Sequence, residues 1–399
     1  MTASPSTIVP STQDGGHILL RWLREMRDEH PVWRDQYGTW HVFRHSDVVR
    51  VISDPHLFSS DRGRTMPVGQ QFSAGNVLRT DPPRHTALRR LISAAFSPTV
   101  VTGLASRMTE MAHELLDATG GATEFDLVST LTYPLPAMVI AELLGLPASD
   151  LGLFQHWVDR ALDVKQGDPT DSQLNQKLDE VTKDLIAYMF KHCTDRRAHP
   201  RQDLISTLTT VQADGQGLTD EEVVNFSVLL LIAGHISATG LLGNTLVCLD
   251  EYPQVWTELR ADRSLVPAAL EEVLRYRSSV TQTFRVTTAA TKLGGHVIPA
   301  NAPVTIWLLS ANRDEREFPD PDHFDIHRSP NHHLAFGHGI HFCIGQLLAR
   351  LEGKVVLNVL LDRYAEIRLN PALPSEFYDR NIIAILTARN IPVIVRPTW

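Results

Sequence analysis

Cysteine is scarce in this chain: three residues in 399, at positions 193, 248 and 343, widely spaced and odd in number. That argues against a disulfide framework and makes a reducing compartment, the cytoplasm, the expected location. A basic excess is missing too. The 37 Lys and Arg are outnumbered by 46 Asp and Glu, the formal net charge is -9, and no Lys/Arg-rich run occurs. Such a balance gives no surface for collecting on nucleic acid or an anionic membrane, so neither is expected as a partner. The start lacks a charged segment followed by an apolar one; Met1–Thr12 is rich in Ser, Thr and Pro, and residues 1–15 are expected to be a mobile tail. No internal repeat or low-complexity linker divides the chain, which is read as one domain over residues 1–399. What is there, 43% hydrophobic and 21% charged residues, fits a globular enzyme with one large core.

Long hydrophobic runs are also few. The segment Phe226 to Leu249 carries no Asp, Glu, Lys or Arg and is long enough to span a bilayer. Its His235, Ser237, Thr239, Asn244 and Thr245 suit lipid poorly, so a central buried helix is the reading. Thr219-Asp220-Glu221-Glu222 is a capping box that opens this helix, which runs towards Pro253. Asp81-Pro82-Pro83 and Ser97-Pro98 mark two further helix starts. Helical patterns dominate from Pro98 to Tyr276. Short β-type runs follow at Arg285 to Thr288, His296 to Pro299 and Pro303 to Leu308, with Asn301 in a turn. A non-periodic loop, Phe318 to His333, leads to the third cysteine. Leu347 to Tyr364 has helical spacing, and Ile382 to Val395 reads as a closing hairpin. The fold class is mainly α with a small β region.

Chemistry concentrates at Phe336-Gly337-His338-Gly339-Ile340-His341-Phe342-Cys343-Ile344-Gly345. The cysteine sits between glycine-flexed turns just before a helix, where unpaired N–H groups and the positive dipole end lower a thiol's pKa and favour a thiolate ligand. His332, His333, His338 and His341 crowd the same stretch, but no second Cys or matched His pair stands at zinc-finger distance.

The same ten residues match Phe-Gly-x-Gly-x-His-x-Cys-x-Gly, and the chain resembles the cytochromes P450, soluble bacterial class, over nearly its whole length. Glu272-Val273-Leu274-Arg275 resembles that family's Glu-x-x-Arg pair, whose third partner would be Arg328 or His323, and Ala311 to Asp314 supplies a further match. The resemblance implies the P450 fold and haem b (iron protoporphyrin IX) ligated by Cys343, with Phe336, Gly337 and Gly345 around it. Thiolate ligation favours O–O cleavage, hence a monooxygenase using O2. His85, Arg89, Arg285 and His341 would hold the haem propionates. Electrons would come from a ferredoxin and ferredoxin reductase, with Arg62, Arg64, Arg90 and Lys354 offered as docking charges. Ala233-Gly234-His235-Ile236-Ser237 aligns with the oxygen-binding stretch of the long helix, Ala233 and Gly234 leaving space and Ser237 as the alcohol. The family's acid is replaced by Ile236, which cannot carry a proton. Relay must then run through Ser237, ordered water or a substrate hydroxyl, unless Ser237 merely bonds the carbonyl one turn back. The pocket regions, Arg62 to Leu78, Phe154 to Lys191, Leu230 to Ser237, Val280 to Phe284 and Ile383 to Ile385, are mostly apolar. They imply a bulky hydrophobic small molecule, and similarity to antibiotic-tailoring members points to a polyketide or macrolide, to be hydroxylated or epoxidised. A catalytically silent helper and a haem-based ligand sensor are the alternatives.

Overall fold

The computed structural model describes residues 8–65, 75–163, 172–213, 215–379 and 384–398. It is mainly helical, with small sheets. Its axis is the helix Asp220–Glu251, about 48 Å long at 1.5 Å per residue. The Thr219 hydroxyl accepts from the Glu222 N–H at 3.2 Å and the Glu222 carboxylate accepts from the Thr219 N–H at 3.0 Å, so two of the helix's free donors are satisfied reciprocally. Pro253 begins the next helix, Pro253–Ala261, and lacks the N–H that would extend the long one.

By length and composition the long helix could cross a membrane. Here it packs against Pro134–Leu144, Ser172–Ala198, Val266–Tyr276 and Gln346–Arg363, and protein covers most of its surface. Its buried hydroxyls bond within the helix: Ser227 donates to the Val223 carbonyl at 2.8 Å, Thr239 to His235 at 3.0 Å and Thr245 to Leu241 at 2.8 Å. Asn244 reaches outward, donating to the carbonyls of Arg277 and Leu386 at 3.0 and 3.2 Å. Burying an apolar cylinder this way is tolerable because these polar side chains keep partners.

The five-stranded sheet runs in the order Val32–Arg34, Trp40–Val42, Pro303–Ile306, Thr283–Thr287, Phe58–Ser59. Val304 and Ile306 point into a core with Val42, Val48 and Val51. The register sets Arg285 opposite Val304, which fixes where that arginine emerges. Asn301 takes the left-handed conformation expected of its turn, φ 56°.

The Glu272–Arg275 pair is fully buried. Arg275 Nη2 and Nε donate to Glu272 at 2.7 and 2.8 Å, and Arg275 also donates to the carbonyls of Asn312, Pro321 and His323. Arg328 supplies the third side chain, its Nε 3.2 Å from Glu272, whereas His323 contributes its carbonyl. Asp325 N–H and Asn331 Nδ2 complete the carboxylate's shell at 2.9 and 3.1 Å. This network pins the loop that delivers Cys343.

Two expectations are corrected. Ile382–Val395 does not close on itself: Ala388–Asn390 pairs with Glu376–Phe377, while Pro392–Pro397 lies between Tyr364–Leu369 and Glu124–Asp126. The turn at Asn390 to Pro392 sends its two arms to distant partners, and residues 380–383 lie outside the described residues. Nor do residues 8–15 form a free tail. Ser11 donates to Asp379 at 2.7 Å, Thr12 to the Tyr378 carbonyl at 2.8 Å, and buried Arg277 to the Gly15 carbonyl at 2.9 Å. Residues 1–7 are outside the described residues.

Candidate active site

The cysteine loop is closed by the Cys343 N–H donating to the Phe336 carbonyl at 2.9 Å and by Arg89 donating to the Phe342 carbonyl at 2.5 Å. Gly337 and Gly339 both have φ 70°. At Gly339 a Cβ would stand 3.0 Å from the Ile52 carbonyl oxygen, so a side chain there would separate the loop from helix His45–Ser53. Helix Gln346–Arg363 starts immediately after, with Gly345 preceding it. The N–H groups of Gly345 and Gln346 bond the Cys343 sulfur and, with Arg89 and Arg350, favour its anion. Burial acts the other way and is larger, so the thiol lies above its ordinary pKa. The lowered pKa expected from the helix terminus is therefore not reached by the protein alone; a metal cation at the sulfur would reverse the balance. Cys193 and Cys248 lie in the apolar core with thiols pushed up by burial to about 11 and 12. They are not ligand material.

Between this loop and the long helix lies a cavity of about 850 Å³. Cys343, Phe336, Gly337, Gly345 and His341 line it from the loop, and Ala233, Gly234 and Ser237 from the helix. Arg89 and Arg285 also reach it; His85 stands beside them, its ring 4.3 Å from that of His341. All the sequence-derived site residues are thus brought to one place. They are joined by Arg62, whose guanidinium lies 4.7 Å above the Phe284 ring and faces Arg79 and Arg285. Its assignment to docking is corrected: it points inward, while Arg64, Arg90 and Lys354 are exposed. The signal that could have found it is its place at the head of a pocket loop.

This cluster is electrostatically incomplete. Burial, then the neighbouring Arg79 and Arg285, press Arg62 down to about 9; burial takes Arg285 to about 10. His341 falls to about 3 through burial first and then Arg285, His85 and Arg89. Asp81, itself held by Ser59 and the Ser60 N–H, acts on His85 and Arg285 from the side. Among the described residues His85 Nε2 and His341 Nδ1 have no hydrogen-bond partner, although His341 Nε2 meets Ser60 Oγ at 2.8 Å. Guanidinium groups crowded together in a buried place, beside histidine nitrogens without partners, call for an anionic group. A flat dianion with a metal at its centre, set over Cys343, fits that requirement. His333 by contrast is committed to Glu271 at 3.0 Å, so the histidines disperse rather than converge on a second metal.

On the long helix Ser237 donates to the Ala233 carbonyl at 2.6 Å. Ile236 is buried and contributes a hydrocarbon wall. Gly234 borders the cavity, yet a Cβ there would come within 2.9 Å of Ile140, so close contact with helix Pro134–Leu144 also demands the glycine. His235 is directed away from the cavity wall, its Nε2 2.8 Å from the Tyr133 carbonyl, and burial lowers it to about 4. Of the expected pocket regions, Leu78, Ala161, Thr182, Leu230, Val280 and Ile385 reach the cavity. Residues 66–74, 164–171 and Ile383 lie outside the described residues.

Comparison with known proteins places this geometry. The cytochrome P450 family model matches residues 154–368. Cyclomarin C epoxidase of Salinispora arenicola is 44% identical over 370 residues, 92% of this chain and 93% of that protein. Erythromycin C-12 hydroxylase of Saccharopolyspora erythraea is 44% identical over 378 residues, 94% of each. A mutant of P450 EryK in complex with erythromycin B superposes with a TM-score of 0.92 at 42% identity, covering 97% of this chain and 98% of that one. The chain belongs to the cytochrome P450 family and is a monooxygenase built around haem iron.

Proposed function

We propose that this enzyme inserts one oxygen atom from O2 into a C–H or C=C bond of a bulky, largely apolar natural product, with haem b held over Cys343. The observation that carries the reading is a cavity lined by one half-buried cysteine and by Arg62, Arg89 and Arg285, with an unpartnered nitrogen on each of His85 and His341 beside them. When bound, the thiolate-ligated haem supplies oxygen activation. The protein does the rest. Cys343 provides the sulfur, presented by the N–H groups of Gly345 and Gln346. Arg62, Arg89 and Arg285 would neutralise the two propionates and His85 and His341 would hydrogen-bond them, while Phe336, Gly337 and Gly345 would form the seat. Leu230, Ile236, Val280 and Phe284 give an apolar wall that excludes water and orients a hydrophobic skeleton. Ala233 and Gly234 keep the helix backbone close to the reacting volume.

The substrate is of the macrolide or peptide antibiotic kind. Relatives named for cyclomarin C and erythromycin, each matched over more than nine-tenths of both chains, support that choice. Because the hydroxyl proton of Ser237 is committed to Ala233, the last proton donor is assigned to a substrate hydroxyl or the water it orders rather than to Ser237. Electrons come from a ferredoxin reduced by its reductase, docking on Arg90 and Lys354, and the enzyme works in the cytoplasm. Retention of Cys343 and the cation ring speaks against a silent helper.

The reduced carbon monoxide complex tests the reading. The wild type should show the absorption band that names the family, and Cys343→Ser should lose it. A variant that keeps the band would put the ligand elsewhere. A screen of macrolide and peptide compounds for a low- to high-spin shift of ferric haem then identifies the substrate class.

A further inference from the structure

Beyond the cation cluster the cavity continues across the five-stranded sheet. Trp33 stands opposite His41, His41 opposite Thr305, and Thr305 opposite Phe284, so the four side chains share one face. All four line the cavity. The row crosses three strand spacings, about 14 Å, from Phe284, which lies beneath Arg62, to Trp33. Asp35 and Tyr37 stand at its far end, and Val9 of the N-terminal segment packs beside Trp33 and also reaches the cavity. This arm differs in chemistry from the hydrocarbon wall at Ile236.

Its polar groups are anchored, with bonding capacity left over. Trp307 Nε1, which can only donate, bonds His41 Nδ1 at 3.1 Å, so His41 Nε2 is left to donate to Asp35 Oδ2, also at 3.1 Å. Asp35 Oδ1 accepts from the N–H groups of Tyr37 and Thr39 at 2.9 and 2.8 Å. Burial acts against the charge, but His41 and these N–H groups outweigh it and hold Asp35 below its ordinary pKa. The result is a fixed carboxylate whose Oδ2 can accept one more donor. Gln282, two residues before Phe284, and Thr305 are each only 9% exposed, and among the described residues their side chains have no hydrogen-bond partner. Both line the cavity. A buried amide or hydroxyl in that position needs its partner from whatever fills the space. The half-buried Trp33 ring is held edge to face by Trp22, with centroids 6.4 Å apart, and lies 5.1 Å from His41.

We propose that this arm is a sugar subsite: a glycosyl ring carried by the substrate lies against Trp33 and is hydrogen-bonded by Asp35, Gln282 and Thr305, while the apolar skeleton extends towards the cysteine loop. The inference deepens the monooxygenase reading above and rests on it for the position of the reacting end. A sugar meets every requirement of the arm at once. Its C–H face is apolar enough to cover an indole, and its hydroxyls both donate and accept. Asp35 takes donors only, whereas Gln282 and Thr305 can give or take. A purely hydrocarbon group would leave all three unpaired, and that is the costly arrangement.

Two ligand pairs test the subsite by isothermal titration calorimetry on the holoenzyme, a readout that does not depend on the iron: decyl β-glucoside with 1-decanol, and erythromycin B with its sugar-free aglycone. In at least one pair the glycoside should bind about tenfold more tightly, the size of one or two net hydrogen bonds. Gln282→Leu, which breaks no hydrogen bond within the protein, should cut that advantage about threefold or more while leaving the Kd of the sugar-free ligand within about twofold of wild type. Trp33→Leu and Asp35→Asn should do the same, and Gln282→Leu decides alone if they do not fold. Equal affinities within both pairs overturn the proposal, and so does an advantage that survives in Gln282→Leu. A variant that weakens both members of a pair equally also overturns it, because the side chain would then be packing the cavity rather than reading the sugar. The haem-thiolate reading fails separately, on absence of the carbon monoxide band from the wild type, whatever the calorimetry shows.

Discussion

Ser237 and Ala233 are joined by a 2.6 Å hydrogen bond from the serine hydroxyl to the carbonyl one turn earlier. The bond ties up the hydroxyl hydrogen, and Ile236 beside it offers no acid. Ser237→Ala is therefore expected to leave product formed per NAD(P)H within about twofold of wild type on a hydroxylated substrate. A substrate lacking that hydroxyl should bind yet release mostly peroxide. Uncoupling of the alanine variant on both substrates would return the relay to Ser237.

Cofactor retention should follow the cation ring. Removing His85 and Arg89 together would take away two of the side chains proposed to hold the haem propionates, and Arg62→Gln a third. Both variants should release haem faster to an apo-globin acceptor, the double variant by about tenfold or more. Arg62→Gln should leave the salt dependence of ferredoxin reduction unchanged, since its guanidinium faces the cavity; an altered dependence would restore it as a docking charge.

The Glu272–Arg275 network offers a stability test. Arg275→Ala leaves a fully buried carboxylate with Arg328 and Asn331 as its remaining side-chain partners, and breaking such a pair destabilises by about 3–5 kcal/mol. Denaturant unfolding should show the loss, along with weaker haem binding, because the same network holds the loop before Cys343. Unfolding indistinguishable from wild type would mean that the loop stands without it.

Glu352 predicts a pH dependence of a definite sign. Burial within helix Gln346–Arg363 pushes its folded pKa up to about 8, above the usual 4.5. As pH rises from about 5 to 8 the unfolded chain gives up this proton and the folded chain keeps it, so stability falls across that window. In Glu352→Gln the contribution disappears. The difference in melting temperature between the variant and wild type should therefore move in the variant's favour on going from pH 5 to pH 8. A difference that is constant with pH would show Glu352 titrating normally.

Much of this was written in the sequence, because it depends on neighbours along the chain. The capping box at Thr219–Glu222, the proline-led helix starts at residues 83 and 98, and the glycine-flanked Cys343 are local patterns that need no tertiary partner to be recognised. The same holds for the signature that identifies the family. Other features waited for the fold, since they are set by residues brought together from far apart. Arg62 became a cavity cation only when the sheet carried Phe284 and Arg285 to it. Gly234 acquired its packing role from Ile140, and the third partner of Glu272 was chosen by the path of the loop that bears Arg328. Residues 8–15 read as tail because polar composition says nothing of the distant carbonyls and carboxylates waiting for them. Cys343 shows the division most clearly. Sequence determined that helix N–H groups would favour its thiolate, but how deeply the sulfur is buried is a property of three-dimensional packing, and that desolvation outweighs the local field.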